Sequence, residues 1–208
     1  MSIRKVARMG HPVLRVKARE LTTEEIRSAD FERLLEDMVD TMEEYGGIGL
    51  AAPQIHESIA VAIIDYADDH PRYAGGNGAE SDGKVATGGD DGLKEMPLSV
   101  FINPKITVLD PTEQGFWEGC LSVPEIRGLV YRPRKIRIDF LDRDAKPRSV
   151  VAEGFLATVF QHELDHLAGT LFVDRIRYRP GASPISFVEE YARYHVPEKD
   201  SEVGELAD

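Results

Sequence analysis

The sequence has little that would suit a secreted, membrane-bound or nucleic-acid-binding protein. Its 208 residues include a single cysteine, Cys120, so no disulfide can form within the chain, as is typical of reducing compartments. No apolar run is long enough to cross a bilayer, and no apolar core follows the basic N-terminal residues, as a signal peptide would require. The net charge of −12 repels phosphate and anionic lipid. We therefore expect a cytoplasmic protein, or an organellar one if a presequence was removed, that binds no membrane and no nucleic acid directly.

The spacing of apolar residues predicts three helices. The first begins at Thr22, which forms a capping box with Glu25, and ends at Gly46. The second covers about residues 153–168 and is apolar on more than one side, which indicates a buried, central helix. The third begins at Ser183, with a proline in the first turn. We therefore expect an N-terminal helix, a central helix and a C-terminal helix.

Strand-like runs fill most of the remainder. Residues 59–65 are apolar and β-branched, and short β runs separated by proline and glycine follow over residues 99–151. Between them, residues 67–97 are rich in glycine and aspartate, which predicts a flexible insertion. The acidic residues 197–208 predict a disordered tail. The predicted fold class is α+β, with antiparallel β-sheets around the central helix, in a single domain over residues 1–196.

The predicted central helix carries an HExxH motif, His162-Glu163-Leu164-Asp165-His166. Positions i and i+4 share one helix face, so both imidazoles can reach one cation, and Glu163 can act there as a general base. Two histidines on a helix also occur as ordinary packed or solvated residues. Burying them beside a glutamate on an apolar helix is unfavourable unless they are paired or bind a metal. The motif therefore favours a catalytic metal site.

A catalytic metal usually has three protein ligands, so a third donor is needed. Downstream, His195, Glu189 and Glu190 lie on the predicted C-terminal helix, where they fit a solvated face equally well. Upstream, Cys120 follows a β run with Gly119 beside it, and its thiolate would place negative charge on the metal. The other interpretation of a lone cysteine is a small apolar residue packed in the core.

Four segments together resemble the peptide deformylases. They are the motifs GIGLAAPQ (residues 47–54), EGCLS (118–122) and QHELDH (161–166), preceded by GHPVLR (10–15). They occur in the order of that family, and only the glycine-rich insertion interrupts the resemblance. It implies an enzyme that removes the N-formyl group from the formyl-methionine of newly made polypeptides.

The resemblance also implies a metal site and a mechanism. Cys120, His162 and His166 would bind one divalent cation, in this family most often Fe²⁺, with Zn²⁺, Ni²⁺ or Co²⁺ as alternatives. Metal-bound hydroxide would attack the formyl carbon, with Glu163 as general base and then general acid.

The side-chain amide of Gln54 and the backbone N–H of Leu121 would stabilise the oxyanion. Further substrate-binding residues implied by the resemblance are Ile48, Gly49, Phe116, Glu118, Gly119, Arg127, Phe155 and Val159. The large apolar members of this set would hold the methionine side chain, although ordinary core residues have the same composition. Glu118 would also pair with Arg132 and stiffen the strand that carries Cys120.

The implied partners are N-formylated nascent peptides and, transiently, the ribosome. Bacterial members of the family can dock there with a basic C-terminal helix, whereas this chain is acidic after Pro197. Two other functions stay open. An HExxH metallopeptidase that cleaves internal peptide bonds would share His162, Glu163 and His166 but would not need Cys120. A non-catalytic metal-binding protein would have no need of Glu163.

Overall fold

The computed structural model describes residues 2–66, 96–178 and 184–189. The α-helices in this part of the chain are α1 (Thr23–Ile26), α2 (Ala29–Glu44) and α3 (Gly154–Leu167). Its strands are β1 (Gly49–Ala51), β2 (Val61–Tyr66), β3 (Met96–Cys120), β4 (Val123–Leu141), β5 (Pro147–Glu153) and β6 (Ile185–Phe187). Short 3₁₀ helices cover Pro12–Arg15, Ala52–Ile55 and Phe172–Arg175.

All six strands belong to one antiparallel sheet, in the order β1-β2-β3-β4-β5, with β6 paired to β4. An antiparallel sheet with few helices confirms the predicted fold class in outline, but one sheet replaces the several that were expected. The short predicted runs merge because β-bulges, rather than turns, interrupt the pairing of β3 with β4. The register shifts between Ile102 and Lys105, for example, where Pro104 separates two of the predicted runs.

The predicted N-terminal helix is two helices. The capping box of Thr22 and Glu25 is present, but it starts only the four-residue α1. Ser28 then caps α2, because its hydroxyl accepts a hydrogen bond from the backbone N–H of Phe31 at 3.1 Å. The apolar stripe of α2 is buried as predicted, with Met38 fully enclosed.

The helix α3 is buried along its length. Every residue from Leu156 to Leu167 is shielded from solvent. It contacts β1, β2, β3, β4 and β5. Gly154 begins α3 with φ +65°, a conformation that favours glycine.

The predicted C-terminal helix is wrong at its start. Ile185–Phe187 is a strand, which pairs with residues 126–128 of β4. β5 pairs only with residues 135–141 of β4, so the same edge of β4 is open at residues 126–128, and an alternating Ile-Ser-Phe sequence can pair there. The backbone becomes helical at Val188 and Glu189.

Residues 67–95 and 190–208, which include most of the predicted insertion and the acidic tail, lie outside the described residues. Among the described helices, none has the length and hydropathy required to span a bilayer.

The N-terminal arm, residues 2–20, joins three segments that carry motif residues. The backbone N–H of Ala7 donates to the carbonyl of Gln54 at 2.7 Å, and that of Met9 to the carbonyl of Ser122 at 2.7 Å. Further on, the N–H of Ala18 donates to the carbonyl of Leu167 at 2.8 Å. The arm therefore fixes the 3₁₀ helix, the β3–β4 turn and the end of α3 relative to one another.

Replacing Ser28 by Ala should lower the free energy of unfolding by about 1 kcal/mol, because an N-terminal N–H of α2 loses its acceptor. Urea unfolding of the purified variant measures this change. Ser28→Asp is the matched control: it keeps an acceptor at the cap and should stay close to the parent protein. Equal stability of Ser28→Ala and the parent would show that Ser28 does not define this helix start.

Candidate metal centre

A tight hairpin places Cys120 at the edge of an internal cavity. Cys120 is the last residue of β3 and pairs with Val123, so Leu121 and Ser122 form a two-residue turn into β4. Gly119 precedes it where a side chain would collide with the guanidinium of Arg127, since an added Cβ would lie 1.4 Å from Nη1. The glycine beside the cysteine therefore permits the close approach of Arg127.

The hairpin and α3 bring one sulfur and two ring nitrogens together. One potential ligand atom from each of Cys120, His162 and His166 lies within 4.8 Å of the others, and all three residues are buried. The sulfur of Cys120 is 3.2 Å from Nε2 of His166. His162 and His166 lie one turn apart on α3, as the HExxH spacing requires.

This donor set fits a divalent cation. Tetrahedral ligands at about 2.0–2.3 Å from a metal are themselves about 3.3–3.7 Å apart, and the 3.2 Å between the sulfur of Cys120 and Nε2 of His166 is close to this spacing. Nδ1 of His162 contacts Oε2 of Glu118 at 2.8 Å, which leaves Nε2 as the ring nitrogen available to a cation. Three protein ligands would leave one coordination position for water or substrate.

The charges at the centre are mutually dependent. Burial raises the pKa of the Cys120 thiol, but the imidazoles of His166 and His162 outweigh this effect and hold that pKa well below its usual range. Burial likewise lowers the pKa of His162, but Cys120 and Glu118 together raise it well above the ordinary value. The site therefore favours a thiolate next to positive charge, which a divalent cation also supplies.

A chain of buried charges leads from His162 to the surface. The carboxylate of Glu118 accepts two hydrogen bonds from Arg132, at 2.6 and 2.9 Å. Arg132 also donates to Asp165 at 2.8 Å, and Asp165 accepts from Arg175 at 2.7 Å. We call these five residues the charge chain. The resemblance implied the pair of Glu118 with Arg132 but not its continuation. The available signal was Asp165 itself, since an acidic residue on a buried helix needs a cationic partner.

Glu163 lies beside the metal centre, next to the backbone of Gly49. An added Cβ at Gly49 would be 2.6 Å from Oε1 of Glu163, so only glycine leaves room for this carboxylate. Oε2 of Glu163 is buried and has no hydrogen-bond partner among the described residues. Burial raises the pKa of Glu163, because the charged form is poorly solvated there. An unpaired buried carboxylate of this kind is suited to exchanging protons with a bound molecule.

The predicted oxyanion donors face the same cavity. Gln54, on the 3₁₀ helix, is buried, and its Oε1 accepts from the backbone N–H of Ala51 at 2.8 Å. Its Nε2 is therefore directed to the hairpin, 3.6 Å from the sulfur of Cys120. Leu121 lies in the hairpin turn and lines the cavity.

Most of the predicted substrate-binding residues line this cavity. They are Ile48, Gly49, Glu118, Gly119, Arg127, Phe155 and Val159. Phe116 is not on the wall; its ring packs behind that of Phe155, with ring centroids 5.2 Å apart. Thr158 lines the cavity and was missed, although it precedes His162 by one helical turn on the same face. Gly47 and Trp117 complete the wall.

Comparison with known proteins identifies one family. A family model described as Polypeptide deformylase matches residues 3–180. A peptide deformylase of Leptospira biflexa is 40% identical over 177 residues, which cover 85% of this chain and 89% of that protein.

Solved structures show the same similarity. A K4U-bound class I type b peptide deformylase from Acinetobacter baumannii has a TM-score of 0.72 and 34% identity, covering 85% of this chain and all 100% of that one. A Met-Ala-Ser-bound class I type b peptide deformylase from Acinetobacter baumannii has a TM-score of 0.70 and 32% identity, covering 84% of this chain and 99% of that one.

Replacing Arg132 by Met should destabilise the fold by about 3 kcal/mol, because Glu118 and Asp165 would lose their common buried cation. Urea unfolding measures the change. The neighbouring Arg134 provides a matched control, since its pair with Glu153 is 56% exposed at the arginine, and Arg134→Met should lose less than about 1 kcal/mol. Equal losses in the two variants would contradict a special role for the charge chain.

Proposed function

The chain belongs to the peptide deformylase family, hydrolases that remove the formyl group from peptides, and we propose that Cys120, His162 and His166 hold the catalytic cation while Glu163 transfers the proton. One observation carries this proposal: a sulfur and two imidazoles converge at a buried point, beside a carboxylate that has an unpaired oxygen. In this proposal, the buried α3 is the central scaffold that holds three of these four side chains.

The cation would supply Lewis-acid chemistry, polarising the formyl oxygen and making water a nucleophile near neutral pH. Glu163 takes a proton from the attacking water and delivers it to the departing amine of the methionine. The C–N bond of the formamide breaks, and formate and a free amino terminus are released. The raised pKa of Glu163 supports this exchange, since a base that also acts as an acid works best with a pKa closer to neutral.

Negative charge develops on the formyl oxygen during the attack. One N–H of the Gln54 side-chain amide and the backbone N–H of Leu121 donate to this oxygen, and a bound cation would also stabilise its charge. Both residues line the cavity, Gln54 from the 3₁₀ helix and Leu121 from the hairpin turn. The N-terminal arm supports their relative position, because it bonds to the carbonyls of Gln54 and Ser122.

The cavity wall favours a peptide with a medium-sized apolar first residue. Ile48, Phe155 and Val159 provide the apolar side, and we propose that they contact the methionine side chain. The peptide backbone can continue along β1, which forms one edge of the described sheet and includes Gly49 of the cavity wall. Phe116 supports Phe155 from behind in this arrangement. Arg127 lies over Gly119 and contacts the later part of the peptide.

One thiolate and two imidazoles suit several first-row metals, so the ligand set alone leaves Fe²⁺, Zn²⁺, Ni²⁺ and Co²⁺ as candidates. We propose Fe²⁺, as the resemblance to the family implies. N-formylated nascent peptides are the proposed substrates, with transient contact to the ribosome, a cytoplasmic or organellar location, and residues 1–196 as the catalytic domain. The alternative metallopeptidase gains no support from the comparisons, in which the matched family model and relatives are deformylases.

Replacing Glu163 by Gln should slow the release of formate from formyl-Met-Ala-Ser by about a hundredfold or more, because the amide cannot take up the proton. Metal content, determined by elemental analysis on protein purified without oxygen, should not change. The matched control is Glu36→Gln, an exposed position on α2, which should retain the parent rate. A Glu163→Gln protein with normal metal content and a parental rate would refute the role of this carboxylate.

A further inference from the structure

The amide of Gln54 is fixed at its oxygen end. Oε1 accepts from the backbone N–H of Ala51 at 2.8 Å, within the turn that leads from β1 into the 3₁₀ helix. Gln54 is almost fully buried, so a reversed amide would place two N–H groups against a backbone donor without access to water. The orientation of the amide therefore follows from its environment, and Nε2 must point towards the hairpin.

The two N–H groups of Nε2 face different acceptors. Nε2 lies 3.3 Å from Oγ of Ser122 and 3.6 Å from the sulfur of Cys120. A bound cation would take up the negative charge of the thiolate and leave its sulfur a weaker acceptor than the hydroxyl oxygen. One N–H thus donates to the hydroxyl of Ser122, and the hydrogen bond of the other N–H to sulfur can be broken at little cost in free energy.

Ser122 is itself held rigidly. It is completely buried, its backbone N–H donates to the sulfur of Cys120 at 3.4 Å, and its carbonyl accepts from Met9 at 2.7 Å. These contacts fix the backbone that carries the hydroxyl, next to both the proposed metal ligand and Gln54. A rigid acceptor can set the direction of a side chain that is otherwise attached through rotatable bonds.

We infer that Ser122 is a positioning residue for the reaction: its hydroxyl holds one N–H of Gln54 so that the other N–H turns from the Cys120 sulfur to the formyl oxygen as charge develops there. This inference rests on the proposed role of Gln54 as an oxyanion donor. Ser122 is not among the residues that line the cavity, so its hydroxyl acts on the reaction through Gln54. Its effect should therefore appear in the chemical step and not in substrate binding.

Ser122→Ala should lower kcat for formyl-Met-Ala-Ser roughly tenfold, less than the hundredfold or more expected for loss of an oxyanion donor, with KM changed less than about twofold. Metal content should be unchanged. Ser149→Ala, on the exposed face of β5, is the matched control and should behave like the parent. A parental kcat for Ser122→Ala would overturn the inference.

A double-mutant cycle with Gln54→Ala separates positioning from a general structural effect. If Ser122 acts through Gln54, adding Ser122→Ala to Gln54→Ala causes little further loss of kcat, whereas independent effects would multiply and contradict the inference. A parental rate for Gln54→Ala would instead refute the proposed role of Gln54 itself. A slow Gln54→Ala combined with a parental Ser122→Ala would reject only the role of Ser122.

A measurement on the unaltered protein remains decisive if Ser122→Ala does not fold. In the zinc-loaded protein, NMR can follow both side-chain amide protons of Gln54 during addition of a peptide hydroxamate, whose oxygen imitates the charged formyl oxygen. Only the proton that faces Cys120 should shift strongly, since the other stays on Ser122. Large shifts of both protons, or of neither, would contradict the inference.

Discussion

The contact between the thiolate of Cys120 and the two imidazoles of α3 is the constraint on which the remaining structure depends. A charged sulfur in a buried place is unfavourable unless positive charge lies next to it. The pKa of Cys120 is low only because His166 and His162 approach it closely. The turn that follows Cys120 and the buried helix α3 must therefore have a well-defined relative position, although they are far apart in the sequence.

Two sets of contacts hold the turn and α3 in this relative position. The N-terminal arm bonds to the segments that carry Gln54 and Ser122, and the charge chain ties the strand of Glu118 to α3 through Arg132. The charge chain also fixes the ring of His162, because Glu118 contacts its Nδ1. Buried ion pairs contribute little net stability compared with apolar packing, so their value here is the specific geometry that they impose. The same polar contacts thus connect the elements of the fold and position the side chains of the proposed site.

Sequence reasoning identified the parts of the site that depend on local spacing. The HExxH spacing places His162 and His166 on one helix face, and the structure brings Cys120 to them. It missed features that depend on distant pairing. Ile185–Phe187 becomes a strand because β5 leaves the edge of β4 open at residues 126–128, and no local pattern in the sequence indicates that open edge. Ser28, by contrast, had a visible signal, since serine before an apolar helical run is a common cap.

The most direct test of the account is the coordination shell of the metal in protein purified without oxygen, measured by X-ray absorption at the edge of the bound metal. The arrangement of Cys120, His162 and His166 predicts one sulfur at about 2.3 Å and two nitrogens at about 2.0–2.1 Å, with a light-atom ligand in the remaining position. A shell composed only of nitrogen and oxygen, without sulfur, would contradict the convergence of these three residues on one ion.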